Sequence, residues 1–127
     1  MAPAVPWGQM RLRSLLHPEP AFDPAAASPF ERAVFCFNAS EAGRTVARLA
    51  SILGRPSVSV GTAAGAPGVV RVTVAWELSW YQWGVDVGDR IRPVFEIAKG
   101  GEIDQLDYAA RQWNARVAKD GKLRLSG

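Results

Sequence analysis

At 127 residues the chain is long enough for one domain with its own core plus a tail, and too short for two domains of ordinary size. Apolar residues make up 48% and charged residues 21%, the balance of a globular domain and not of a disordered chain. The net charge of +3 and pI near 9.5 are mild. No apolar run approaches the ~20 residues of a membrane span, and the first residues lack the basic start and apolar stretch of a secretory signal, so the expected location is the cytoplasm.

Residues 1 to 29 carry Pro3, Pro6, Pro18, Pro20, Pro24 and Pro29. This composition predicts a proline-rich tail, with an extended spacer around positions 18 to 24. Inside it, residues 7 to 16 form a short apolar island with Arg11 and Arg13. Trp7, Met10, Leu15 and Leu16 lie on one side of about two helical turns, a segment too short to hold itself in water and therefore expected to dock.

The folded domain is expected over residues 30 to 127. Residues 33 to 37, Ala-Val-Phe-Cys-Phe, read as a short buried strand. Asn38 followed by Glu41 matches a capping pair at a helix start. Ala42, Val46, Leu49, Ala50 and Leu53 recur at helical spacing until Gly54 and Pro56 stop them. Asn38-Ala39-Ser40 also spells a glycosylation acceptor, but the cap is the stronger reading.

Ser57 to Val60 is a second strand candidate, and Gly61 to Gly68 a turn rich in Gly and Ala. Residues 69 to 87 then hold three of the five tryptophans and read as one long strand, an arm of an extended hairpin. Val70, Val72, Val74, Trp76, Leu78 and Trp80 are apolar at even positions, whereas from Tyr81 onward Tyr81, Trp83, Val85 and Val87 are apolar at odd ones. A one-residue slip in a period-two pattern predicts a bulge at Trp80 to Gln82 or a strand that changes surface, with aromatics pointing both ways. Gly88-Asp89 reverses the chain, and Ile91 to Ala98 returns, with Pro93 at an edge or bulge. Ile103, Leu106, Ala110, Trp113 and Val117 are spaced as the stripe of a second helix, and Lys122 to Leu125 is a last short strand.

These elements predict an α+β fold: a mainly antiparallel sheet with two helices packed on one face and the other face open, loosely ferredoxin-like in its split βαβ order.

Chemistry-bearing patterns are sparse. Cys36 alone makes neither a disulfide nor a multi-cysteine metal site, and a buried strand thiol is its ordinary role. His17 lies far from it in sequence, so no nucleophile and base pair is indicated. The glycines of 61 to 68 lack the Lys-Ser/Thr and following helix of a phosphate loop. Asp86, Asp89 and Glu96 lack calcium-loop spacing, and polar hairpin residues are expected there. Glu77, between Trp76 and Leu78, could acquire a raised pKa beside aromatics, but an exposed strand carboxylate paired with Arg71 is commoner. No catalytic residue, metal or cofactor is predicted.

Arg111, Arg116, Lys119, Lys122 and Arg124 concentrate positive charge near the C-terminus. Their placement after Glu102, Asp104 and Asp107 suits a helix dipole, though five cations exceed what that needs and leave contact with an anion or nucleic acid open. The expected function is a non-catalytic accessory or adaptor domain acting by protein association. A homo-oligomer is expected through Trp76, Tyr81 and Trp83, and a larger partner through Trp7, Met10, Leu15 and Leu16. Two alternatives remain: a single-stranded nucleic-acid module using sheet aromatics and the basic residues, and a small apolar ligand domain or enzyme subunit.

Overall fold

The computed structural model describes residues 26 to 126. Two helices come first, α1 (Pro29–Asn38) and α2 (Glu41–Leu53). Six strands follow, β1 (Ser57–Thr62), β2 (Val70–Trp76), β3 (Ser79–Val85), β4 (Val94–Gly100), β5 (Ala115–Val117) and β6 (Leu123–Leu125). The strands form one antiparallel sheet in the order β4-β3-β2-β1-β5-β6. The α+β class expected from the sequence is therefore present. The split βαβ order is not, because both α-helices precede the sheet and, among the described residues, no α-helix joins two strands.

Residues 33 to 37 are helical and not a strand, because local capping outweighs the apolar run. Ser28 accepts from the Glu31 amide at 3.1 Å while Glu31 accepts from the Ser28 amide at 2.7 Å, a reciprocal capping box with Pro29 in the first turn. Ala33, Val34 and Phe37 then fall on one buried stripe. Cys36 is half-buried on this helix, where burial pushes its thiol pKa up.

The second helix starts two residues later than the Asn38 to Glu41 pair suggests. Ser40 is its N-cap, accepting from the Gly43 amide at 3.2 Å. Asn38 serves elsewhere: its amide donates to the Leu123 carbonyl at 3.1 Å and accepts from the Leu123 amide at 2.8 Å. Gly54 closes the helix with a φ of 93°, open to glycine and costly to most other residues. Its carbonyl accepts from the Trp76 indole at 2.7 Å, which ties the helix end to the sheet.

The phase change within 69 to 87 has a simple cause. The stretch is two strands joined by a tight turn at Glu77 and Leu78, with Trp76 paired to Ser79, Val74 to Tyr81, Val72 to Trp83 and Val70 to Val85. Directly opposed residues share a face, so even positions of β2 and odd positions of β3 lie on one side. The slip preserves a single apolar face across a hairpin. Trp76, Tyr81 and Trp83 meet there: Tyr81 stacks on Trp83 at 5.8 Å, and Trp76 and Phe37 approach edge-on at 6.1 and 5.3 Å. The helices cover this face, where Val46, Val58, Val72, Val74 and Val85 are fully buried.

The second face is not open. Residues 101 to 114 cross it from β4 to β5 as two short 3-10 turns, Ile103–Gln105 and Tyr108–Arg111, and not as the single helix the apolar stripe suggested. Ile103, Leu106 and Ala110 do point one way, onto Ala75 and Trp80. Asp107 interrupts the helix midway by capping the second turn through the Ala110 amide at 2.8 Å. Asn114 then draws the chain into the sheet, donating to the Val60 carbonyl and accepting from the Val60 amide, both at 2.8 Å. Val117 consequently belongs to β5.

Candidate functional site

The two sheet edges are unlike one another. β6 has three residues, and Asn38 occupies both backbone groups of Leu123, so a side chain stands where another strand would pair. β4 has seven residues. Among the described residues, no group outside the β3–β4 pairing hydrogen-bonds to its backbone.

Apolar side chains gather along β4 and the loop before it. Phe95 is 40% exposed and Ile97 43%, with Val87 and Ile91 also exposed in the preceding loop. Ile97 is the extra residue of a bulge, because Gln82 opposes Ala98 while Trp83 opposes Glu96. The bulge expected at Trp80 to Gln82 is absent, since those residues pair in continuous register with β2, and nothing in the apolar phase change points to the one in β4. Phe95 lies across Gly84, where a side chain on the glycine would meet the ring. Trp80 likewise lies across Gly100 and donates to the Glu102 carbonyl at 2.8 Å.

Beside this edge, on the helix face, opens a cleft of about 380 Å³. Ser40, Glu41, Ala42 and Thr45 of the α2 start form one wall, and Tyr81, Trp83, Val94 and Glu96 line the other. Its floor is aromatic and its rim carries two carboxylates. Of the aromatics expected to anchor a partner, Trp76 and Trp83 are each only 8% exposed in the chain itself, because the helices cover them. Tyr81 remains half-exposed at the cleft. Trp7, Met10, Leu15 and Leu16 lie outside the described residues, as does His17.

The polar candidates are accounted for locally. Asp86 accepts from the Gly88 amide at 3.0 Å, and Asp89 from the Ile91 and Arg92 amides at 3.0 and 2.9 Å. The Arg92 and then the Ile91 amide hold the Asp89 carboxyl below its ordinary pKa. Glu77 sits in the exposed hairpin turn, and Arg71 pairs with Asp107 instead, through bonds of 3.0 and 2.9 Å. Among the described residues, no group of three or more His, Cys, Asp or Glu side chains is arranged to hold a metal ion. No described helix is long and apolar enough to cross a membrane.

No protein-family model, curated protein or solved structure matches the chain. Functional inference therefore rests on geometry alone.

The C-terminal cations do not end a helix. Arg111 lies in the second 3-10 turn, Arg116 and Arg124 are directly opposed across β5 and β6, and Lys119 and Lys122 flank the turn between those strands. Arg124 pairs with Asp120 at 3.0 Å. Two exposed aromatics join this end of the molecule, Tyr108 and Trp113. Helical spacing assigns Trp113 to a buried apolar stripe and gives Tyr108 no role, whereas both stand exposed. Only the break of the expected helix at Asp107 reveals either.

Proposed function

We propose that the chain is a non-catalytic association domain, an accessory or adaptor unit, that pairs with a second copy of itself along β4. The observation that carries this reading is the asymmetry of the edges: β6 is short and occupied by Asn38, whereas β4 is long, has no partner on its outer edge among the described residues, and carries exposed Phe95 and Ile97. An added strand gains backbone hydrogen bonds from such an edge and specificity from pockets for its alternate side chains. The cleft at Tyr81 is placed to supply one such pocket.

The bulge at Ile97 and the charge of Lys99 interrupt the edge. Such features restrict pairing to a narrow register, which favours a closed two-fold dimer over a growing filament. In this reading Trp7, Met10, Leu15 and Leu16 engage a larger partner, and the protein acts in the cytoplasm, where a lone thiol such as Cys36 is ordinary.

Light scattering across a dilution series tests it. The full chain is expected as a dimer that dissociates on dilution, and Ile97→Lys as a monomer with its circular dichroism unchanged. A wild-type chain that stays monomeric at every concentration would sink the reading.

A further inference from the structure

We propose that the corner of the second sheet face at β5 and β6 binds single-stranded nucleic acid, with phosphates on Arg111, Arg116 and Arg124 and bases stacked on Trp113 and Tyr108. The inference is independent of association through β4.

The first observation is backbone strain. Trp113 has a φ of 49° and is the one non-glycine with positive φ among the described residues. Bulky residues rarely adopt this region, and holding one there costs on the order of 1–3 kcal/mol. The neighbouring Asn114, clamped to both backbone groups of Val60, enforces it. What the strain maintains is a tryptophan 37% exposed to solvent. The clamp thus holds the residue partly in solvent at a cost that packing of its own ring does not repay in full, a feature found at ligand sites.

The second observation is unfavourable charge. Arg116 and Arg124 face one another directly across β5 and β6, an arrangement that destabilises a strand pair. Since Ala115, Val117 and Leu123 are buried toward the helices, strand alternation puts both arginines on the second face. The Val58 to Ala115 pair brings Arg116 beside Ser57, which is exposed. The crossing segment thus leaves this corner uncovered. Asp120 offsets part of the charge on Arg124, while Arg116 has no carboxylate partner among the described residues.

Tyr108 and Arg111 stand three residues apart in a 3-10 turn, where such side chains eclipse. Tyr108 is 78% exposed. Arginines interleaved with exposed rings suit a single strand, because phosphates meet the cations and every base offers a face for stacking. An acidic peptide would use the charges and leave the rings idle.

The experiment is anisotropy of a labelled oligothymidylate of about twelve nucleotides, titrated with the full chain at several salt concentrations. Three phosphate contacts predict a log-log salt slope of about −2, and Arg116→Ala should make it shallower by about 0.7. Trp113→Asn, whose side chain tolerates the left-handed backbone, should weaken binding about tenfold or more while the circular dichroism is kept. Ile97→Lys should bind as wild type does, which separates this site from the association surface. Absence of salt-dependent binding by the wild type would overturn the proposal. So would indifference to both corner substitutions, or equal competition by polyglutamate of the same charge, which would reassign the corner to acidic peptides.

Discussion

Arg71 and Asp107 show how one residue can decide a local structure. Asp107 caps the second 3-10 turn and receives both guanidinium bonds of Arg71, whose side chain is largely buried. The Arg71 hydrogen bond first, with help from the Ala110 amide and against partial burial, holds the Asp107 carboxyl below its ordinary pKa. A carboxylate whose pKa is lowered by folding adds stability above its unfolded pKa of about 3.9, and that contribution disappears as pH falls through the folded value. Asp107→Asn should therefore be less stable than wild type at neutral pH, with the two converging in acid. Denaturant midpoints measured across the acid range check this, and parallel curves would count against it.

At the same scale, two glycines lie beneath aromatic rings and should differ in tolerance. A Cβ on Gly84 would lie 2.4 Å from the Phe95 ring, and one on Gly100 would lie 2.5 Å from Trp80. Phe95 is partly exposed and can swing aside, whereas Trp80 is buried and anchored to the Glu102 carbonyl. Gly100→Ala should cost roughly 1–3 kcal/mol by overpacking, and Gly84→Ala clearly less. Equal thermal shifts for the two would contradict this account.

Among elements, the helix pair and the short end of the sheet are held together by side chains that imitate strands. Asn38 meets both backbone groups of Leu123 and Asn114 both of Val60, so each asparagine extends a ladder by one residue. Removing Asn38 leaves two backbone groups at β6 without their partners. Asn38→Ala should cost about 1–3 kcal/mol and accelerate hydrogen exchange at the Leu123 amide while β2 and β3 amides stay protected. Uniform loss of protection would instead mean that β6 unfolds only with the whole chain.

For the whole molecule, the six-stranded order places the β6 edge, guarded by Asn38, and the β4 edge, unguarded among the described residues, at opposite sides of the sheet. Pairing of the unguarded edge would link stability to concentration, because a dimer stabilises the folded state by mass action. The wild-type melting temperature should rise with concentration and that of Ile97→Lys should not, so one set of melting curves checks the association reading independently of light scattering. The basic corner at β5 and β6 lies at the far end of the same sheet from β4, which allows the two proposed surfaces to work at once.

Periodicity and punctuation alone determined much of this protein. The α2 helix with its Gly54 stop, the final short strand and the α+β class all follow from local pattern, as does the β1 strand, which runs on through Gly61 and Thr62 so that the expected turn begins only at residue 63, because each depends on neighbours a few residues apart. The apolar phase change was also legible, but the tight turn that produces it contains no glycine or asparagine, so one hairpin read as one strand. Tertiary structure decided the rest. Capping turned an apolar run at 33 to 37 into a helix, and long-range bonds from Arg71 and Val60 broke a well-spaced stripe into 3-10 turns and a strand. Those partners stand 36 and 54 residues away, beyond any local pattern. For the same reason the buried state of Trp83, the exposure of Trp113 and the place of β4 at the sheet edge arise only when the helices and the crossing segment settle on their two faces of the sheet.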